Sequence, residues 1–526
     1  MGFGNLIRLI NTLKHLKFKQ VYYRVYYIIR NKYFSPPISK TLTGETAPIN
    51  WQLYEISTQE SVNGRTFSFL NQSKFFSDKI DWNYANYGKL WTYNLNYFDF
   101  LNQKEISKEH GIELILDYIA NDDVLKDGKE PYPISLRGIN WIKFLSKNKI
   151  VNPKIDKVLY NHYQMLSSNL EYHLLANHLL ENGFSLLFGA YYFQDEKLYH
   201  TAVKILKEEL EEQILNDGGH FELSPMYHQI LLHRVLDCIS LVSQNSWQNR
   251  EVLHFLKEKA LNMLSWLHEV TFKNGNIPMV NDSAYDIAPS SSQLFEYAKS
   301  LDLTWNGNQK LSDSGYRKFI TESYELFIDI GNIQPPYQPG HTHSDTFNFE
   351  LYYKETPIFV DTGISTYEKN ELRQTERETS SHNTVQIANY EQSDVWGGFR
   401  VGRRAKIVDF QETSKLVKAS HNGYKKYGFI HERSFENKDN EIMIVDKLSK
   451  PSNQQAKAYF HLHPSINNIK INKNSITLNS NIELLFAGCE SINLENYNYA
   501  IGFNKTKSAK QIIVKFDQTL ETKISL

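Results

Sequence analysis

The sequence changes its periodicity at residues 340–353, GHTHSDTFNFELYY. Within Thr346–Tyr353, apolar side chains occupy every second position, which is the pattern of a half-buried β-strand. Short runs of the same kind continue from about Tyr324 to the C-terminus, separated by turn signals such as Asn422-Gly423. This half of the chain is therefore expected to be all β, arranged as a sandwich. Further predicted strands are Lys406–Phe410, Lys415–Ala419, Glu441–Val445, Ala456–His463, Ser475–Leu478 and Gln511–Phe516.

Upstream of this switch, between about residues 100 and 310, apolar residues recur three and four positions apart, as in amphipathic helices. Successive helices without interleaved strands, joined by turns such as Asn182-Gly183 and 217–219 (DGG), predict helical hairpins in a toroid or solenoid. An Asn-, Gly- and Ser-rich linker is predicted at Trp305–Arg317. The predicted helices are Ile112–Ala120, Ile139–Leu145, Leu166–Leu180, Ala202–Ile214, Tyr227–Val242 and Val252–Val270.

The composition bears on which ligands the protein can bind. The chain has 526 residues with 58 basic and 59 acidic side chains, so its total charge does not indicate a nucleic-acid-binding protein. Aromatic residues make up 13%, which suits a large core and also a cleft that stacks on sugar rings. Cys238 and Cys489 are far apart in sequence and are expected to be buried thiols.

The N-terminal segment is basic. From Met1 to Gly44 there are eight Lys or Arg residues and no Asp or Glu, and the basic residues interrupt every apolar run that could serve a signal peptide. We therefore expect a location in the cytoplasm or peripheral to the inner membrane. The segment is expected either to pack on the main body or to attach to an anionic membrane surface or an assembly partner. Its apolar stripe comprises Leu6, Ile7, Ile10, Leu13 and Leu16.

A candidate metal site follows from three ligand-type residues. His343, Asp361 and His382 are 18 and 21 residues apart in the predicted β region, a separation typical of hairpins. Two imidazoles and a carboxylate suit zinc or a similar borderline metal. The alternative is that the histidines are buried and bonded to the backbone, and the residues alone leave both possibilities open.

The helical half contains candidates for proton transfer. Asn177 and His178 interrupt an otherwise apolar helix, where they could bind a carboxylate or form a helix–helix contact. Ser224 can cap a helix whose first turn holds Pro225, which would place Tyr227 at an exposed helix start. The alternative for Tyr227 is an ordinary core position.

Aromatic and amide residues in the helical half could line a sugar cleft or pack in the core, and the sequence is equally compatible with both. The predicted substrate-binding residues are Tyr93, Asn94, Asn96, Arg137, Trp141 and Glu222.

The order of these motifs resembles the heparinase II/III-like polysaccharide lyases. The resemblance covers about residues 80 to 520 and depends on Asn177-His178, on 224–228 (SPMYH), on 340–345 (GHTHSD) and on 381–384 (SHNT). It implies a multidomain α + β fold, in which an incomplete (α/α) toroid precedes an antiparallel β-sandwich. The predicted regions are a basic helical segment at 1–45, the toroid at 46–315 and the sandwich with the metal site at 316–526.

The resemblance also implies a β-elimination on a polysaccharide that contains 4-O-linked uronic acid. Asn177, assisted by His178, would neutralise the uronate carboxylate, and Tyr227 and His341 would share the roles of acid and base. His343, Asp361 and His382 would hold a structural divalent metal, for which zinc is the first candidate. No organic cofactor is expected. The expected partner is an anionic polysaccharide or oligosaccharide; the oligomeric state is left open.

Two other functions compete with this interpretation. A glycoside hydrolase on an (α/α) toroid would need a pair of carboxylates, for which Glu181, Glu222 and Asp282 are available. A non-catalytic component of bacterial capsule or O-antigen assembly would explain the basic N-terminus. The complete set of Asn, Tyr and His residues favours the lyase.

Overall fold

A computed structural model describes residues 3–34, 46, 48–51, 56–248, 250–453 and 455–526. The predicted boundary between the N-terminal segment and the toroid, at residue 45, lies outside the described residues. The helices are α1 Phe3–Leu13, α2 Phe18–Tyr33, α3 Lys89–Tyr97, α4 Lys108–Ala120, α5 Pro131–Lys147, α6 Pro153–Ser168, α7 Ala176–Phe193, α8 Glu196–Gln213, α9 Pro225–Gln244, α10 Glu251–Val270, α11 Ser291–Ser300 and α12 Glu371–Glu376.

Helices α3–α11 form the incomplete (α/α) toroid, in which neighbouring helices such as α7 and α8 or α9 and α10 pack against each other. Helix α7 is the most deeply embedded, and all but one of its 18 residues are buried. The predicted turn at Asn182-Gly183 is wrong, because both residues lie inside α7. Gly183 is needed there for packing, since a Cβ atom would lie 2.9 Å from the Ile205 side chain of α8.

The predicted continuous helix Leu166–Leu180 is also wrong. Helix α6 ends at Ser168, and α7 begins only at Ala176. The apolar periodicity continues across the break because Leu170 and Leu175 are buried in the same core. The interruption matters for function, since it places Asn177 and His178 in the first turn of α7.

The C-terminal half consists of antiparallel sheets, as expected. One sheet has the order β4-β5-β6-β7, and the largest follows β11-β12-β13-β14-β19-β18-β17-β16, with β15 between β19 and β8. The strands are β1 Val62–Asn63, β2 Thr66–Phe69, β3 Gln72–Phe75, β4 Tyr316–Ile320, β5 Tyr324–Asp329, β6 Phe349–Tyr353, β7 Thr356–Phe359, β8 Val385–Ile387, β9 Val395–Trp396, β10 Arg400–Val401, β11 Ile407–Glu412, β12 Leu416–His421, β13 His431–Lys438, β14 Glu441–Leu448, β15 Ala456–His461, β16 Ile469–Ile471, β17 Ser475–Leu478, β18 Ile482–Gly502 and β19 Lys505–Ser525.

The two sheets share one apolar core, in which Leu326 and Leu351 of the smaller sheet join Phe435 and Phe460 of the larger one. This is the layered arrangement of a sandwich. A second core fills the toroid and extends to Tyr316 and Phe327, so apolar packing is continuous from the helices into the first strands. Cys238 is buried as expected, whereas Cys489 is only half-buried, and neither forms a disulfide.

The N-terminal helices α1 and α2 pack on the main body through one face. Gln20 donates a hydrogen bond to the Leu174 carbonyl at 3.1 Å, and the Tyr23 ring stacks on Tyr172 at 4.6 Å. Within the described ranges, no helix is both long and apolar enough to traverse a bilayer.

Candidate active site

A cleft of about 1210 Å³ opens where the toroid meets the sheets. Its lining contains all four predicted catalytic residues and three of the six predicted substrate-binding residues. These are Asn177, His178, Tyr227 and His341, together with Tyr93, Asn94 and Glu222.

The start of α7 presents Asn177 and His178 to the cleft. Leu175 and Ala176, just before them, have φ angles of 62° and 52°, in the left-handed region that non-glycine residues seldom adopt. Such backbone strain is maintained only where the surrounding packing enforces it, and it is concentrated at functional sites. Both strained residues are buried in the core, so the direction in which the Asn177 side chain points is fixed by packing.

His178 lies at the edge of the cleft beside a carboxylate. Its Nδ1 lies 3.0 Å from Glu171 Oε1, and its ring contacts Tyr132 at a centroid distance of 4.8 Å. Burial alone would lower the pKa of His178, but the charge and hydrogen bond of Glu171, with Glu222 nearby, raise the pKa above its usual value. The imidazolium form is thereby favoured, which suits a role beside an anion.

Glu222 faces Asn177 across the cleft wall. Asn177 Nδ2 donates to Glu222 Oε2 at 3.1 Å, and Leu223, the next residue, has a strained φ of 53°. Burial raises the pKa of Glu222, although His341 and His178 act in the opposite direction. A carboxyl group that holds its proton longer than usual can lie beside an anionic sugar with less repulsion.

Tyr227 lies in the first turn of α9, as predicted. The Ser224 hydroxyl accepts a hydrogen bond from the Tyr227 backbone N–H at 3.3 Å, with Pro225 in the first turn. The Tyr227 hydroxyl lies 3.1 Å from that of Tyr367. Burial, followed by Tyr367 and the carboxylates of Asp282 and Glu222, raises the pKa of Tyr227 well above 10. The phenol therefore keeps its proton and is suited to act as an acid.

His341 is held by a buried carboxylate. Its Nδ1 lies 2.8 Å from Asp282 Oδ2, and Arg373 binds both Asp282 oxygens at 2.5 and 2.7 Å. Burial alone would raise the pKa of Asp282, but Arg373 and the imidazole hydrogen bonds of His341 and His343 hold it well below its usual range. An ionised carboxylate only accepts hydrogen bonds, so the hydrogen of His341 is on Nδ1. In the neutral imidazole, Nε2 then carries the lone pair and can accept a proton.

The phenol of Tyr227 and the imidazole of His341 are neighbours. The Tyr227 and His341 rings are 4.1 Å apart, and His341 Nε2 lies 3.9 Å from Glu222 Oε2. Since Glu222 is bonded to Asn177, an amide, a carboxyl group, a phenol and an imidazole meet at one place in the cleft. This arrangement can bind a carboxylate and move a proton to and from the adjacent carbon.

Three of the predicted substrate-binding residues do not line the cleft. Asn96, Arg137 and Trp141 are fully buried. Asn96 binds the Trp82 and Thr92 carbonyls, Arg137 donates to the Asn96 carbonyl at 3.1 Å, and Trp141 packs edge-on against Phe98. All three side chains lie in the toroid interior, so the structure does not place them in the cleft where they were predicted. The basic residues that line the cleft are Lys89, Arg234 and Lys369, with His178, His233 and His341.

The predicted metal ligands lie close together and are fully buried. His382 Nδ1 is 2.8 Å from Asp361 Oδ2, and the His343 and His382 rings are 5.3 Å apart. His343 Nδ1, His382 Nε2 and Asp345 Oδ2 are buried without a hydrogen-bond partner, which is unusual for polar atoms inside a protein. These residue types suit a divalent metal. In the part of the chain that the structure describes, however, no three His, Cys, Asp or Glu side chains are arranged to hold one.

Sequence reasoning missed several residues that position the site. Tyr367, Arg373, Glu171 and Tyr132 contact Tyr227, Asp282 or His178 directly. Asp282, which the sequence offers only as a hydrolase carboxylate, binds His341. Tyr367 and Arg373 lie in a loop and in the short helix α12, 26 and 32 residues after His341, and no periodic pattern connects them to the motifs.

The sequence matches two family descriptions that adjoin each other. Residues 138–305 match Heparinase II/III N-terminus, and residues 306–526 match Heparinase II/III-like, C-terminal. The chain belongs to the heparinase II/III-like family.

Named relatives of this heparinase II/III-like protein include heparin-sulfate lyases. That of Bacteroides thetaiotaomicron is 27% identical over 235 residues, covering 36% of this chain and 33% of the relative. That of Pedobacter heparinus is 24% identical over 251 residues, covering 41% of this chain and 37% of the relative. These alignments therefore span only about a third of the length of each lyase.

Solved structures share the fold over a larger part of the chain. The crystal structure of heparinase III has a TM-score of 0.67 at 16% identity, covering 93% of this chain and 87% of the other. The heparan sulfate lyase HepC from Pedobacter heparinus has a TM-score of 0.55 at 16% identity, covering 88% and 81%. At this level of identity, the likeness concerns the fold.

Proposed function

We propose that the protein is a polysaccharide lyase that cleaves a 4-O-linked uronic acid polymer by β-elimination. The observation that carries the proposal is the meeting of Tyr227 and His341, 4.1 Å apart, beside the Asn177–Glu222 pair. Family membership and the heparin-sulfate lyase relatives support the same reaction class.

The first requirement of the reaction is neutralisation of the uronate carboxylate. Asn177 Nδ2 would exchange Glu222 for the substrate carboxylate, with His178 supplying positive charge. As the C5 proton leaves, negative charge spreads onto this carboxylate, so fixed donors stabilise the enolate-like transition state more than the ground state. A protonated Glu222 would avoid repelling the substrate.

The second requirement is a pair of groups for proton transfer. His341 Nε2 would remove the C5 proton, the C4–O4 bond would break as the C4–C5 double bond forms, and Tyr227 would protonate the departing oxygen. Asp282 stabilises the resulting imidazolium through Nδ1. The two C5 epimers carry the C5 proton on opposite faces of the ring, so the group that acts as base would depend on the epimer.

A hydrolase is not favoured. Of Glu181, Glu222 and Asp282, only Glu222 lines the cleft. Asp282 is bonded to Arg373 and two histidines, and Glu181 lies 3.4 Å from Arg234 in the toroid interior. These three residues do not supply the facing pair of carboxylates that hydrolysis requires.

The finer features of the prediction are also proposals. We propose an anionic polysaccharide as substrate, supported by the basic side chains of Lys89, Arg234 and Lys369 and by His178 in the cleft lining. We also propose that a divalent metal, with zinc as the first candidate, is held by His343, Asp361 and His382, supported by the unpaired buried nitrogens. The metal would brace the strands behind the cleft. Location in the cytoplasm or at the inner membrane stays a prediction.

The test is an assay of full-length protein against a panel of uronate polymers. Elimination creates an alkene conjugated to a carboxylate, which absorbs in the ultraviolet, whereas hydrolysis creates no new chromophore. Tyr227→Phe and His341→Ala should each lower the rate by about 100-fold or more. Tyr390→Phe, at an exposed position in the β half, is the matched control and should leave the rate unchanged. Turnover that survives both site substitutions would refute the lyase assignment.

A further inference from the structure

The two N-terminal helices expose an apolar face. On α1, four large side chains of the predicted stripe, Leu6, Ile7, Ile10 and Leu13, are 44–56% exposed. The helix α2 continues this face with spacings of three and four residues, which puts its members on one side. Those members are Phe18, Val21, Tyr22, Val25, Tyr26, Ile28, Ile29 and Tyr33, each between 43% and 83% exposed.

The orientation of this face is fixed by the opposite side of α2. Tyr27 donates to the Leu170 carbonyl, Arg30 to the Ser168 carbonyl, and Gln20 Nε2 to Gln338 Oε1 at 2.9 Å. The polar contacts of α2 therefore point toward the body and its apolar side chains point away. A helix that packs only as part of a globular core has the opposite arrangement.

Helix α1 is anchored to the β half. Thr12 Oγ1 donates to the Val401 carbonyl at 3.4 Å and receives a hydrogen bond from Trp396 Nε1 at 3.2 Å. The two helices therefore contact both halves of the molecule and leave their apolar side chains exposed. We call these exposed apolar side chains the N-terminal apolar face.

Basic side chains accompany this face. Arg8, Lys14, Arg24 and Lys32 are exposed on the same two helices, and residues 3–34 contain no acidic side chain. Positive charge also extends from α1 onto the body. The pKa of His15 is lowered first by burial and then by the charges of Arg404, Lys14 and Lys406. The surface thus combines exposed Ile, Leu, Phe and Tyr with these basic side chains, which we call the basic rim, while Glu212 and Glu208 of α8 pair with Lys17 and Lys19.

We propose that the N-terminal apolar face binds the surface of an anionic lipid bilayer. Apolar side chains would enter the boundary between headgroups and acyl chains, and the basic rim would contact anionic headgroups. A second copy of the chain fits less well, because a two-fold contact would bring the same basic rim against itself. The proposal stands independently of the proposed lyase activity.

Binding can be measured by flotation of full-length protein with vesicles. One set contains equal parts of phosphatidylglycerol and phosphatidylethanolamine, and the other contains phosphatidylcholine alone. We expect at least about tenfold more bound protein on the anionic vesicles, because the basic rim contributes only there. This excess should shrink between about 0.1 M and about 1 M salt, as the screening length falls from ~10 to ~3 Å.

The variant Ile10→Glu/Ile28→Glu tests the apolar contribution. Both positions are exposed, so folding should be kept, which circular dichroism checks, while binding to anionic vesicles falls about tenfold or more. The control Ile471→Glu/Leu485→Glu changes two equally apolar, exposed residues of the β half and should bind like the unsubstituted protein.

Two results would overturn the proposal. One is equal flotation of the unsubstituted protein and of Ile10→Glu/Ile28→Glu, or no flotation with anionic vesicles. The other is a dimer, seen in sedimentation equilibrium, in a protein that does not bind vesicles. If Ile10→Glu/Ile28→Glu dissociates that dimer, the face binds a second copy of the chain.

Discussion

His341 and Asp282 are joined by a hydrogen bond of 2.8 Å between Nδ1 and Oδ2, and this bond determines which nitrogen faces the cleft. Asp282 comes from the loop after α10 and is fully buried, while His341 comes from the loop before β6 and reaches the cleft. The same carboxylate binds His343 and Arg373. The proposed base therefore depends on a residue that does not line the cleft.

Asp282→Asn should impair both folding and catalysis. The substitution leaves the Arg373 charge buried without its partner, so we expect the free energy of unfolding to fall by about 3–5 kcal/mol in urea titration. In the folded fraction, kcat should fall while KM changes little, because the amide can donate to Nδ1 and hold His341 in the wrong tautomer. Asp439→Asn, at an exposed turn, is the control. Unchanged kcat and stability would show that Asp282 does not position the base.

Substitutions of Asn177 test the neutralisation of the carboxylate. Asn177→Ala should lower kcat by about 100- to 1000-fold, the usual effect of removing a donor to developing charge. Asn177→Asp should be slower still, because it adds a negative charge where the substrate carboxylate binds. Steady-state kinetics on the cleaved polymer measures both, with the exposed Asn467→Ala as control. An aspartate variant more active than the alanine variant would contradict the assigned role.

Glu222 should make stability depend on pH. Burial raises the pKa of Glu222 in the folded state. As pH increases, Glu222 therefore ionises in the unfolded chain before it ionises in the folded protein. Over that pH range the free energy of unfolding decreases. The stabilisation is therefore complete below the unfolded pKa, about 4.3, and declines above it. Relative to the unsubstituted protein, Glu222→Gln should become more stable as pH rises, at a slope of up to about 1.4 kcal/mol per pH unit.

Urea unfolding at a series of pH values measures this difference. Glu113→Gln, on the exposed side of α4, should show no such trend. A difference between Glu222→Gln and the unsubstituted protein that is constant with pH would mean that Glu222 titrates alike in both states.

Metal analysis tests the cluster behind the cleft. We expect the purified protein to contain about one divalent metal per chain, and a chelator to lower its unfolding temperature. His382→Ala should reduce the metal content, whereas His463→Ala, outside the cluster, should not. The proposed metal site would be excluded if the purified protein contains no metal and neither chelator nor added zinc changes its unfolding temperature. This result does not depend on any variant.

The sequence was enough to predict that a helical half precedes a β half, and to predict most of the polar side chains that face the cleft. The Ser224-Pro225 start of α9 was predictable because capping is local, and it correctly places Tyr227. The switch to alternating residues near Tyr324 likewise marks a real strand, β5.

Other features depend on contacts that are distant in sequence. Arg137 looks like a ligand for an anionic polymer, but its guanidinium is used inside the toroid beside Asn96 and Tyr118. The break before α7 is hidden by buried leucines that keep the helical period. Tyr367 and Arg373 reach the site only because the chain folds back from α12, and no local pattern records that return.

The most direct test of the central claim is the mass balance of one cleavage event on a defined uronate oligosaccharide. Elimination divides the substrate into two products whose masses sum to that of the substrate. One of these products carries the double bond at its new non-reducing end. Hydrolysis adds one water to that sum. We predict a mass balance without added water, and products that together contain one extra water would contradict the account.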